Sequence, residues 1–208
     1  MRDQKISSEG VRLGLAARSA PEEEIFSLRG YRKIAGAARA FNFNFKNKVV
    51  LDIGSSTGGF TKYALDHGAK KVIAVEKGTN QMMSPLRHDP RIDLREKTDI
   101  FDCKIEGIDV VVADVSFISL TKVLAHAKKR LAGKNTDFLV MLKPQFEAKS
   151  YQLVNGIIKN EKIRREIIKS FEMWLKNNNF VIIDKRDNQL KGKNGNQERF
   201  YWLKQPIK

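Results

Sequence analysis

The chain has 208 residues, 41% of them hydrophobic, with 39 Lys/Arg against 24 Asp/Glu and a formal net charge of +15. That length suits one domain, and the apolar fraction suffices for a packed core, which excludes a disordered polymer. The single cysteine, Cys103, excludes an internal disulfide framework, and the three histidines (His67, His88, His126) match no familiar zinc spacing. No apolar run approaches the ~20 residues of a membrane helix, and the opening MRDQKISSEG lacks an apolar signal core, so a cytoplasmic protein with no membrane partner is expected. The charge is uneven. Residues 1–48 carry 10 Lys/Arg against 5 Asp/Glu, residues 49–142 carry 14 against 12, and residues 143–208 carry 15 against 7. A near-neutral centre with basic flanks suits a cofactor core whose rims meet nucleic acid; the alternative is lysines that only aid solubility.

In chain order, residues 1–24 mix small and charged residues without periodicity, and PEEE at 21–24 reads as a helix start or a solvated turn. GYRKIAGAARAF (30–41) places Ile34, Ala37, Ala38 and Phe41 on one helical face. FNFNF (41–45) then runs into a Lys-Asn-Lys turn. VVLDIG (49–54) reads as a buried strand, followed by a helix that starts near Thr57 and is closed by Gly68. KKVIAVE (70–76), the weaker RIDLRE (91–96) and IDVVVADVSF (108–117) are further strands. Residues 119–131 are expected to be helical, and FLVMLKP (138–144) is a strand stopped by Pro144. IRREIIKSFEMWLK (163–176) is a strongly amphipathic helix, and FVIID (180–184) and RFYWLK (199–204) close the chain as strands. Apolar strands alternating with helices predict an α/β fold with a parallel sheet covered on both faces.

The sharpest local feature is VVLDIGSSTGGFTKYAL: a buried strand, Asp52, then Gly54, Gly58 and Gly59, then a helix. Glycines permit the tight turn and a close approach of ligand to backbone. The spacing is neither G-x-G-x-x-G nor a Walker A loop. The second strand ends in Glu76, an acid suited to the two hydroxyls of a ribose, and the helix start offers free amides to an anionic group. The alternative is a structural turn with one surface acid. Asp99, just past the third strand, is either a contact for an adenine edge or a solvated loop acid.

These residues resemble the class I S-adenosylmethionine-dependent methyltransferases, and the wider string is similar to the FtsJ-like ribose 2′-O-methyltransferases of the TlyA (hemolysin A) type that act on rRNA. The matching stretches are SLRGYRKIAGA, LDIGSSTGGFTKYAL, GAKKVIAVEKG, Gln81 with LRHDPRI, DVVVADVSFISL, LVMLKPQFE and KGKNGNQERFYWL, in order over roughly 27–204. The resemblance implies a Rossmann-like, mostly parallel seven-stranded sheet with helices on both faces and an antiparallel last strand. It implies S-adenosyl-L-methionine as cofactor, held by Asp52, Gly54, Ser55, Ser56, Thr57, Gly58, Gly59, Phe60, Glu76, Lys77, Asp99 and Asp114. It implies a catalytic tetrad of Lys33, Asp114, Lys143 and Glu198, with Lys143 as the group that activates a ribose hydroxyl. Its expected partner is rRNA or a ribosomal subunit, cytidine being the expected target. Residues 27–208 are expected to form the methyltransferase domain and 1–26 an extension too short for the family's usual S4 RNA-binding domain. Three further departures from the pattern are Asp99 where relatives often carry Asn, LVNGIIKN in place of a glycine-rich segment, and Tyr31-Arg32 before the first catalytic lysine.

Other chemistries fit less well. Cytosine-C5 methylation commonly uses a cysteine nucleophile, and Cys103 sits in an ordinary loop; no N-P-P-Y-like tetrapeptide ends the fourth strand. Phe117 and Phe146 follow the proposed catalytic strands and are either core aromatics or stacking surfaces for a base. A non-catalytic RNA-binding or ribosome-assembly factor on the same fold is the competing reading.

Overall fold

The computed structural model describes residues 29–192 and 194–206. The expected 1–26 extension and the turn or helix start at 21–24 lie outside them. The elements are α1 (Arg29–Ala40), β1 (Val49–Ile53), α2 (Gly59–Asp66), β2 (Lys71–Val75), α3 (Ser84–Arg87), β3 (Ile92–Arg95), β4 (Ile108–Ala113), α4 (Leu120–Arg130), β5 (Ala132–Leu142), α5 (Glu161–Asn177), β6 (Val181–Asp187) and β7 (Arg199–Lys204). They form one seven-stranded sheet of order β3-β2-β1-β4-β5-β7-β6. The β1, β2, β3, β4 and β5 pairings are parallel, and β7 is antiparallel to both β5 and β6. This is the mostly parallel sheet with an antiparallel last strand that the resemblance implied.

The strand period of two sorts side chains into two cores. Leu51 and Ile53 of β1, Val111 and Ala113 of β4, and Phe138, Val140 and Leu142 of β5 face one side. They meet Leu120, Val123, Leu124 and Ala127 of α4 and Ile168, Phe171 and Leu175 of α5. Val50, Val110, Val112, Leu139 and Met141 face the other side, under Ile34, Ala37 and Ala38 of α1 and Phe60, Tyr63 and Ala64 of α2. Each buried Leu, Ile, Val or Phe contributes about 1.5–3 kcal/mol, so the helices are held chiefly by these faces. Asn160 starts α5, its Oδ1 accepting from the Lys162 N–H at 2.8 Å.

Several boundaries differ from expectation. β5 begins at Ala132, six residues early, because 132–136 forms an arm that pairs Ala132 with Ile108 before a register shift. Thr136 secures it, donating to the Ile108 carbonyl at 2.7 Å and accepting from the Gly133 N–H at 2.9 Å. The short α3 has no signature in the sequence, since four residues begun by Ser84-Pro85 carry no periodicity. The sheet is not covered throughout: β6 is an edge strand, with Val181 and Ile183 exposed. Among the described residues no helix is long and apolar enough to cross a membrane.

Candidate active site

The chain runs outward from β1 in two directions, to β2 and β3 and, after a return, to β4 and β5. The crevice beyond the carboxyl ends of β1 and β4 is therefore a topological switch point, where α/β sheets bind ligands. A cleft of ≈ 650 Å³ opens there, lined by Gly54, Ser56, Glu76, Lys77, Asp99, Asp114 and Lys143 among others.

The glycine turn leaves β1 with positive φ at Gly54 (79°), Ser56 (47°) and Gly58 (93°). A Cβ on Gly54 would stand 3.0 Å from the Asp114 carbonyl oxygen, so this glycine lets the β1 and β4 loops close on one another. Glu76 organises the turn: its carboxylate accepts from the Ser56 N–H at 3.0 Å and from the Gly78 N–H at 2.7 Å. Ser56 Oγ donates to Gln81 Oε1 at 3.1 Å. Asp99 accepts from Lys77 Nζ at 3.0 Å and caps the turn Ile100–Asp102 through the Phe101 N–H at 3.2 Å. The hydrogen bond from Lys77 is the main reason its carboxyl lies below the usual range.

The other predicted cofactor residues shape the cleft without lining it. Asp52 is fully buried and accepts from Thr61 Oγ1 at 2.6 Å, tying β1 to the first turn of α2. Burial pushes its pKa up to about 7, against which the Thr61 hydrogen bond works. Gly59 serves helix packing: a Cβ there would meet the Tyr31 backbone nitrogen at 2.6 Å. A Cβ on Gly58 would strike Leu86 of α3 at 2.5 Å. Phe60 is a core residue whose ring lies 6.0 Å from that of Phe200. Ser55 is buried, and Thr57 contributes its carbonyl to the Met83 N–H at 3.4 Å.

The four residues of the expected tetrad form two ion pairs. Lys143 Nζ stands 2.6 Å from Asp114 Oδ1 and donates to Ser116 Oγ at 2.8 Å, in the cleft wall. Lys33 Nζ stands 2.6 Å from Glu198 Oε2, with side chains only 7% and 2% exposed. The sheet explains the convergence. Asp114 follows β4 and Lys143 follows β5, while antiparallel β7 pairs Arg199 with Leu142. One step beyond that ladder, Glu198 stands opposite Lys143 at the same sheet edge. Lys33 comes from α1, which packs on α2 through the Gly30–Gly59 approach.

Some residues of the site gave no signal in the sequence. Glu96 accepts from Asn80 N–H at 3.0 Å, from Gln81 N–H at 2.9 Å and twice from Arg87, at 2.8 and 2.9 Å. These bonds, Arg87's above all, draw its pKa down to about 2 and hold the loop after β2 in place. Ser116 lies inside the DVSF motif, which marked its neighbourhood but not its contact with Lys143. Phe117 is 93% exposed with φ 62°, its ring 5.2 Å from that of half-buried Phe146. It is thus no core aromatic.

The donor set fits a nucleoside bearing a charged amino-acid end. Glu76 at the end of β2, Asp99 and Lys77 line the cleft, supplying carboxylate acceptors for hydroxyl and amino groups and an ammonium for a carboxylate.

This strand order, with a cleft beyond the carboxyl ends of β1 and β4, defines the class I S-adenosylmethionine-dependent methyltransferase fold. The FtsJ-like methyltransferase family model matches residues 26–205, and the chain belongs to that family. S-adenosylmethionine is the cofactor of the family. The chain is 35% identical over 187 residues to the 16S/23S rRNA (cytidine-2′-O)-methyltransferase TlyA of Mycobacterium tuberculosis, covering 88% of this chain and 69% of that protein. It is 33% identical over 200 residues to the 23S rRNA (cytidine-2′-O)-methyltransferase TlyA of Campylobacter jejuni, covering 95% of this chain and 76% of that protein. Among solved structures, a protein of Streptococcus thermophilus described as a hemolysin superposes with a TM-score of 0.81 at 32% identity, covering 85% of this chain and 66% of that one. The chain therefore spans about two thirds to three quarters of the length of these relatives.

Proposed function

We propose that this chain methylates the 2′-hydroxyl of a ribose in ribosomal RNA, with a cytidine as the target nucleoside. The observation that carries the reading is the placing of two lysine–carboxylate pairs at one sheet edge, one of them in the wall of the cofactor cleft. When bound, S-adenosylmethionine supplies an electrophilic methyl carbon on sulfur. Residues of the glycine turn and Glu76 would hold that nucleoside, the Glu76 carboxylate being free to accept from ribose hydroxyls beside the amides it already binds.

A ribose hydroxyl is a weak nucleophile, so its oxygen must be oriented and its developing charge stabilised. Lys143 has three N–H donors. Ser116 accepts from one of them and the Asp114 carboxylate holds the ammonium as an ion pair, which fixes it and leaves an N–H for the 2′-oxygen. Asp114 is the positioning partner. The Lys33–Glu198 pair backs this arrangement from the core side and completes the charge network. Exposed Phe117 supplies an aromatic face on which a base can stack. An rRNA substrate supports a cytoplasmic place for the activity.

Transfer of labelled methyl from S-adenosylmethionine to unmodified ribosomal subunits tests the reading. Lys143→Ala is expected to lose about 10²–10⁴-fold in rate while binding the cofactor within twofold of the parent. Label outside ribose, or undiminished turnover by the variant, sinks the assignment. Tight cofactor binding by the parent without any transfer favours a non-catalytic RNA-binding factor.

A further inference from the structure

A second, smaller notch of ≈ 210 Å³ adjoins the paired lysines. Pro144 in its wall follows Lys143, and Gln197 precedes Glu198. Three cations line it, Lys159, Arg164 and Lys191, against one acid, Glu161. Arg164 is buried, 7% exposed, and its guanidinium is held by Asp187 Oδ1 at 2.7 Å and the Gln197 carbonyl at 3.3 Å. Asp187 is shared, since Arg199 also donates to it at 2.6 Å. Glu161 is a weak competitor, 3.7 Å from Arg164 on a side chain 69% exposed. Among the described residues no carboxylate lies within 4 Å of the Lys159 or Lys191 ammonium.

The notch has its shape before any ligand arrives. Buried Asn196 accepts from the Ile158 N–H at 3.0 Å and donates to the Gly156 carbonyl at 2.9 Å, locking together the two loops that form it. The Asn155-Gly156 pair, φ 51° and 75°, makes the tight turn this needs. The 17-residue α5 begins here and adds the positive end of its dipole. A preorganised notch with a buried guanidinium and two uncommitted ammonium groups suits an anion held by charge-assisted hydrogen bonds. The nearest anion that the chemistry of the site brings is the backbone of its own substrate.

We infer that this notch grips a phosphodiester of the RNA strand next to the ribose being methylated. The inference rests on the ribose-methylation reading above. Phosphate contacts fix register without reading sequence, so the notch sets which ribose along a strand reaches Lys143.

The test is equilibrium binding of unmodified rRNA fragments across a salt series, with Lys159→Gln/Lys191→Gln set against the parent chain. Both side chains are exposed, so folding is retained. Loss of two charge-assisted contacts to one phosphodiester is expected to weaken binding roughly tenfold or more and to flatten the slope of log K against log salt by about 0.7, the share of one single-strand phosphate. KM for RNA rises in step with the loss of affinity, and cofactor affinity does not change. Lys70→Gln/Lys134→Gln, at the amino ends of β2 and β5 and away from the cleft, removes the same two charges and is the control. Parental affinity and slope in the double variant overturn the notch and leave the methylation reading standing. An equal loss in the control overturns it too, since bulk charge then explains the effect. If the parent chain neither binds nor methylates rRNA, both readings fall.

Discussion

Removing one member of the Lys33–Glu198 pair is expected to unfold part of the protein's stability margin, whereas removing both is not. The pair stands at 2.6 Å with side chains 7% and 2% exposed. At an effective dielectric of about 20, unit charges at that separation attract by roughly 6 kcal/mol. Taking both charges out of water costs several kcal/mol per ion, so the intact pair contributes little net stability. A lone survivor has no such compensation. Among the described residues, Glu198 would keep only Asn188 Nδ2, at a long 3.4 Å. Lys33→Met or Glu198→Gln should therefore each cost about 3–5 kcal/mol, or about 6–20 °C in Tm at 2–4 °C per kcal/mol for a chain of this size. The Lys33→Met/Glu198→Gln double variant should return to within about 2 kcal/mol of the parent. Urea unfolding at pH 7 measures all four corners of the cycle. A single variant costing under about 1 kcal/mol, or a double variant as unstable as the two singles summed, refutes the buried-pair argument. The double variant also separates fold from chemistry: folded, it should still fail to transfer methyl groups, and an active one removes this pair from the mechanism.

Two further outcomes follow from the geometry beside the cleft. Asp52, raised from its ordinary 3.8 to about 7 by burial, holds its proton in the folded chain over a range where the unfolded chain has lost it. Below about pH 4 both states are protonated and Asp52 has no effect; between about pH 4 and 7 stability should fall, by on the order of 4 kcal/mol, and then level off. Asp52→Asn should abolish that fall, and identical pH profiles from denaturant titrations of both proteins would speak against a buried, proton-holding carboxyl. Gly59→Ala brings a Cβ to 2.6 Å from the Tyr31 backbone, where no side chain can yield, so α1 must move off α2. A loss of about 1–3 kcal/mol is expected, with reduced activity because α1 carries Lys33; a neutral substitution, in Tm and in transfer, would contradict the packing role.

Much of this fold was legible in the residues. Runs such as Val49–Ile53 and Ile108–Ala113 are apolar on both faces, which only a strand buried between two helix layers satisfies, and the α5 repeat of Ile167, Ile168, Phe171 and Leu175 can serve no other face. The glycine turn and the acid ending β2 likewise marked one wall of the cleft, because tight turns restrict residue type locally. What local pattern could not decide was partnership across the sheet. Lys33 and Glu198 are 165 positions apart, and nothing near either one says that it is buried or paired. The register of β7 against β5 brings Glu198 opposite Lys143, and the close contact of α1 with α2 brings Lys33 down onto it. The same holds for Asp52 and Phe117: motif reading put the first at the ligand and left the second between core and surface. Packing sends Asp52 beneath the turn to hold Thr61 and leaves Phe117 in solvent at the cleft that Lys143 and Asp114 also line. Residue type and spacing are properties of a few consecutive positions, while burial and ion pairing depend on elements far apart in the chain and are settled only when the helices close on the sheet.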